Sequence, residues 1–178
     1  YYSPLDSLNN TLGEVKSMED NINSPLHESN PVFTKDGKYV YFTRNNFLKG
    51  KKKVNSKNEI TLKIYRATLE NNKWVDIKEL PFNNNDFNCA HPSLSQDEKT
   101  LYFSSNMPGT NGESDIYSVT ILDDFKFTKP ENLGPLVNTE GREAFPFISN
   151  DNILYFSSDG HYGFGGLDVF GIKIKEGK

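Results

Sequence analysis

The chain has 178 residues, 35% of them hydrophobic and 13% aromatic, with a mean hydropathy of -0.66 and a formal net charge of -4. No stretch approaches the roughly 18 apolar residues of a membrane-spanning helix, no basic footprint for nucleic acid is present, and the single cysteine, Cys89, excludes an intrachain disulfide. What remains is the composition of short, half-buried antiparallel strands rich in Phe and Tyr.

In chain order, residues 1–24 read as the third and fourth strands of a repeat unit. Tyr1-Tyr2-Ser3 falls on Ile116-Tyr117-Ser118, and Asn23-Ser24 falls on Asn138-Thr139, without a gap. The expectation is a window from a longer protein, beginning inside a repeat, with any signal peptide outside it. Residues 25–83 form the first full unit. Asn30-Pro-Val-Phe-Thr-Lys-Asp-Gly-Lys-Tyr-Val-Tyr-Phe-Thr43 reads as strand, tight turn and strand, followed by a third strand at Ile64-Tyr65 and a fourth over 73–80.

Residues 84–137 repeat this with His91-Pro-Ser-Leu-Ser-Gln-Asp-Glu-Lys-Thr-Leu-Tyr-Phe-Ser104, then Ile116-Tyr117, then a segment over 127–133. Residues 138–178 make an incomplete unit built from Glu143-Ala-Phe-Pro-Phe-Ile-Ser-Asn-Asp-Asn-Ile-Leu-Tyr-Phe-Ser-Ser158 and Val169-Phe170. Pro31, Pro92 and Pro146 keep step with the Tyr-Phe pairs at 41–42, 102–103 and 155–156. A strand-rich repeat of this length predicts an all-β fold of β-propeller blades: about three four-stranded antiparallel units, part of a larger propeller.

Period-two alternation divides the second strands into two apolar sets. Val40/Phe42, Leu101/Phe103 and Leu154/Phe156 form one, and Tyr41, Tyr102 and Tyr155 the other. Both sets are apolar because both faces of a blade meet neighbours. Phe42, Phe103 and Phe156 are therefore expected at equivalent buried positions. The prolines are expected at strand starts, where no ladder donor is lost. Each linker carries an asparagine eight residues before its proline: Asn23, Asn84 and Asn138.

Asp36, Asp97 and Asp151 recur at the hairpin turns, which points to hydrogen bonding of turn amides rather than to catalysis. Asp115 and Asp168 precede third strands and read as structural loop caps; the first unit has Lys63 there, so its loop should be held differently. The connection between second and third strands is longest in the first unit and carries Lys49-Gly-Lys-Lys-Lys53. The matching loop of the third unit carries His161, Tyr162 and Phe164. Lys51, Lys52, Lys53, His161, Tyr162 and Phe164 are the partner-binding candidates.

No Ser, Cys or His lies in a nucleophile–base pattern, and no cluster has metal-ligand spacing, so neither a catalytic residue nor a cofactor or metal is expected. Cys89 reads as a small residue filling a blade position.

Glu143-Ala-Phe-Pro-Phe-Ile-Ser, Leu154-Tyr-Phe-Ser-Ser158, Gly163-Phe-Gly-Gly-Leu-Asp-Val-Phe170 and the linkers Ile22-Asn-Ser-Pro-Leu-His-Glu28 and Val137-Asn-Thr-Glu-Gly-Arg-Glu143 carry a family resemblance. Over essentially its whole length the chain resembles the PD40 (WD40-like, TolB-type) propeller repeats of periplasmic OmpA-family proteins of Bacteroidota, including PorE-like proteins associated with type IX secretion. The resemblance implies a non-catalytic protein-interaction scaffold in the periplasm, associated with the outer membrane, whose partners are other cell-envelope proteins. Three units fall short of the roughly 4–8 blades that close a propeller, so the missing blades are expected from the longer protein or, as the alternative, from self-association of the partial propeller. The alternative is a glycan- or peptide-binding propeller acting as a substrate-recognition domain of an envelope enzyme.

Overall fold

A computed structural model describes residues 1–18, 22–123 and 125–174. Among these the chain is all-β, without an α-helix. A short hairpin, β1 (Leu5–Asp6) and β2 (Thr11–Leu12), comes first, and an isolated bridge between Tyr2 and Lys16 extends it. The first blade contains β3 (Glu28–Phe33) and β4 (Tyr39–Asn45). A side hairpin of β5 (Phe47–Leu48) and β6 (Lys51–Lys52) follows, and then β7 (Leu62–Glu70) and β8 (Lys73–Glu79) complete the sheet in the order β3-β4-β7-β8.

The second blade has β9 (Cys89–Leu94), β10 (Thr100–Ser105) and β11 (Asp115–Asp123). Its outer edge is split into β12 (Lys126–Phe127) and β13 (Glu131–Asn132), both paired to β11. The third blade contributes β14 (Glu143–Ile148), β15 (Ile153–Ser158) and β16 (Asp168–Lys173). Every named ladder is antiparallel.

The hairpin chemistry is the same in all three blades. Thr34, Ser95 and Ser149 hydroxyls donate to Asp36, Asp97 and Asp151 at 2.6 Å, and these bonds hold the three carboxyls below the usual aspartate range. The turn closes on a left-handed residue, Gly37, Glu98 or Asn152, with φ of 69°, 60° and 59°. Only the first is the residue type that adopts this conformation freely.

The prolines lie inside the first strands, not at their starts. Each follows a residue with positive φ: Asn30 (50°), His91 (57°) or Phe145 (53°). In all three blades the ladder slips there, between Ser29 and Val32, Tyr102 and Ser104, and Ala144 and Phe147. A β-bulge already interrupts the ladder, so a residue lacking an N–H costs no hydrogen bond.

Packing follows the alternation residue by residue. Val40 and Phe42 join Tyr65, Ala67 and Ile22 on one face of the first blade. Tyr41 and Ile64 turn the other way, onto Leu101, Phe103 and Tyr117 of the second blade. Tyr102 and Ile116 in turn pack on Leu154 and Phe156 of the third. Each second-strand Phe thus faces the preceding element, and Tyr41 and Tyr102 face the following blade. Tyr41 and Tyr102 are 3% and 6% exposed, whereas Tyr155 is 39% exposed and its neighbour Val169 is 73% exposed. Repeated sequence therefore meets unequal surroundings, because no sheet among the described residues covers the outer face of the third blade.

Candidate functional site

Strands one to four run alternately, so the starts of first and third strands share one end of every blade with the connections between second and third strands and with the linkers. One row of cross-strand neighbours defines that end. It reads Glu28, Arg44 and Lys63 in the first blade, Cys89, Ser105 and Asp115 in the second, and Glu143, Ser158 and Asp168 in the third.

In the third blade the buried Glu143 carboxylate accepts from Ser158 Oγ (2.5 Å), Thr139 Oγ1 (2.6 Å) and Thr139 N (2.9 Å), which ties linker to sheet. Asp168 Oδ2 accepts from the amides of Phe164 (2.7 Å) and Gly165 (3.1 Å). Asp115 Oδ2 accepts from Asn111 N (2.9 Å) and Asn132 Nδ2 (2.6 Å).

The first blade holds its loop by other means. Lys63 turns to the following linker, where its ammonium donates to Asn85 Oδ1 (2.8 Å) and pairs with Glu79. The buried Asn46 bonds Thr61 O through its amide and Asn85 Oδ1 through its side chain. Arg44 lies over the Tyr65 ring at 4.4 Å, and burial lowers its pKa. The basic insertion is not plain loop. Phe47 pairs with Lys52 across a two-residue turn in which Lys49 and Gly50 have φ of 52° and 76°, the left-handed pair a tight hairpin requires.

The structure sorts the candidate side chains. Lys51, Lys52 and Lys53 are exposed on the insertion. Tyr162 and Phe164 are fully exposed on the loop that Asp168 anchors. His161, from the same loop, turns inward: its ring meets Phe156 and Phe170 at 5.8 and 5.0 Å, and Nε2 lies 2.9 Å from Val137 O. By topology both loops occupy one end of the blades, but they belong to different blades and form no common cluster.

The linker amide that clasps a third strand is Asn138 in the third blade, bonding Ile116 N (2.7 Å) and O (3.0 Å). Its counterpart is Asn83, on Ile64 N (3.1 Å) and O (2.7 Å), rather than Asn84. Asn83 stands nine residues before Pro92 and Asn138 eight before Pro146. One extra linker residue shifted the role by one position.

Cys89 occupies the position of Glu28 and Glu143. Its thiol is buried, 3.5 Å from Ser105 Oγ, and burial pushes its pKa up to about 12. A thiol reagent at mildly alkaline pH is expected to label native protein at least about a hundredfold more slowly than unfolded protein. Equal labelling rates would show that the position opens readily.

Sequence reasoning passed over a cleft at this end, between the second and third blades, of about 330 Å³. Asn88, Asn106, Glu113 and Arg142 rim it, and His91 lines one wall. The His91 ring stacks on Phe145 at 4.0 Å, its Nδ1 accepts from Phe145 N (3.4 Å), and its own backbone N–H donates to Thr43 Oγ1 (2.8 Å). Burial lowers the His91 pKa to about 4. The one sequence signal was His91 standing where the other blades have Asn30 and Phe145.

No family model and no curated protein matches the chain. Solved structures do. TolB from Acinetobacter baumannii is 19% identical with a TM-score of 0.56, covering 98% of this chain and 35% of its own. A thermostable family-43 glycoside hydrolase is 12% identical with a TM-score of 0.57, covering 94% and 61%. A Mycobacterium tuberculosis puromycin-hydrolyzing peptidase is 16% identical with a TM-score of 0.53, covering 84% and 22%. The chain thus spans between about a fifth and three fifths of the proteins it resembles. At these identities the likeness is one of fold, and together with the repeated antiparallel sheets it makes this chain a set of β-propeller blades.

Proposed function

We propose that this chain is a non-catalytic docking domain of a periplasmic, outer-membrane-associated protein that binds other cell-envelope proteins through the loop end of its blades. The carrying observation is the loop bearing Tyr162 and Phe164: two fully exposed aromatic side chains on a backbone fastened by Asp168. A fastened loop loses little entropy on binding, and aromatic anchors dominate interface energetics. The exposed Lys51, Lys52 and Lys53 at the same end suit an acidic partner. The sequence resemblance to periplasmic PD40 proteins and the fold likeness to TolB support the location. The buried Cys89 thiol, whose pKa burial raises, and the Ser158 hydroxyl, which donates to the Glu143 carboxylate, support a docking role over a nucleophilic one.

The test is capture of envelope proteins by the wild-type chain and by a Tyr162→Ala/Phe164→Ala variant. The variant is expected to retain its melting temperature and lose at least about tenfold in partner recovery. Substituting Lys51, Lys52 and Lys53 with Gln is expected to slow association and flatten its salt dependence. Undiminished recovery by the aromatic variant would overturn the assignment of this loop.

A further inference from the structure

We propose that the cleft between the second and third blades binds a short neutral glycan. Its floor is small, with Ala90 and Ala144 buried on either side of Ser104, so there is room without a large apolar surface to desolvate. Its polar groups are set in advance. Asn106 Oδ1 accepts from Asn88 N (2.7 Å) and Asn88 Oδ1 accepts from Leu62 N (2.8 Å). Both amide planes are thereby fixed, and neither Nδ2 group has a partner among the described residues. Ser104 and Ser114 each donate to Glu143 O, at 2.8 and 2.9 Å, which leaves their lone pairs to accept. His91 accepts through Nδ1, so the neutral ring carries its proton on Nε2 and offers a further donor.

The charges favour a neutral ligand. Arg142 is engaged by Asp159, through NH2–Oδ2 at 3.2 Å and its backbone amide at 2.7 Å. Glu113 is then the one rim charge without a counter-ion among the described residues, which disfavours phosphates and carboxylates. A carboxylate beside fixed amides and hydroxyls matches the adjacent hydroxyl groups of a sugar. The volume suits about one or two sugar rings, at the small end of ligand sites. This site is separate from the Tyr162 and Phe164 loop, so it stands or falls independently of the docking role.

The experiment is saturation-transfer NMR with titration calorimetry on the whole chain. Maltotriose and tri-N-acetylchitotriose are the probes, and trialanine serves as the peptide comparison. The expected result is saturable binding of at least one sugar at about millimolar affinity. Glu113→Gln, an exposed substitution, should weaken it at least about tenfold at unchanged melting temperature, and Asn106→Ala, which also removes the bond from Asn88 N, should weaken it as much. The Tyr162→Ala/Phe164→Ala variant should bind sugar as the wild type does. No saturable sugar binding up to about 50 mM, binding unmoved by both cleft variants, or trialanine saturating the same site would each overturn the proposal.

Discussion

Replacing Phe103 by alanine is expected to destabilise the protein by about 3–5 kcal/mol, read from urea or thermal unfolding. Phe103 is fully buried at the junction of the first and second blades. It stacks on Phe82 at 4.7 Å and on Tyr117 at 6.0 Å. Phe82 in turn meets Phe127 edge-on at 5.7 Å, so the deletion opens a cavity ringed by aromatics that cannot all shift inward. Two sheets close on that space and neither can move without breaking its own ladder. Lys52→Ala, on the exposed side hairpin, is expected to change stability by less than about 0.5 kcal/mol. Equal losses from the two substitutions would contradict the packing described above.

The second large effect is on acid stability. Burial lowers the His91 pKa from 6.5 to about 4, so the unfolded chain takes up this proton before the folded one does. The contribution is fully present above pH 6.5 and is lost progressively as pH falls from there to about 4. A shift of this size corresponds to about 3 kcal/mol of pH-dependent stability. The hairpin carboxyls of Asp36, Asp97 and Asp151 are held below their ordinary 3.8, so they act lower on the pH scale and leave this window clear.

Asn30 holds the same left-handed position in the first blade, with φ of 50° against 57° for His91, and asparagine tolerates that conformation. His91→Asn should therefore fold and remove most of the stability slope between pH 4 and 6.5. A variant with an unchanged slope would move the dependence to another group.

The row at the loop end shows how far a repeat can be read for chemistry. Asp115 and Asp168, expected just before third strands, are the first residues of those strands, and both accept a loop amide. Lys63 marks the first loop as held differently, and Asn46, Asn85 and Glu79 are the means, brought to it from the insertion, the next linker and the outer strand. His91 was visible as a departure from the repeat. Its cleft was not, because the lining comes from different blades, Asn88, Asn106 and Glu113 from the second and Arg142 and Ala144 from the third, and only their packing brings these residues together.

The main strands of each blade and the two apolar faces of each second strand were legible in the sequence, whereas the side hairpin of Phe47–Leu48 and Lys51–Lys52 was not. Period two and an internal repeat are local properties, and they survive any rearrangement of loops. Where the prolines sit depends on strand pairing, since a bulge is a mismatch between two strands and has no mark on either alone. The tertiary structure also decided that Tyr41 and Tyr102 are buried while Tyr155 is not. Burial depends on what packs against a face, and three identical letters cannot say which of them has a neighbour.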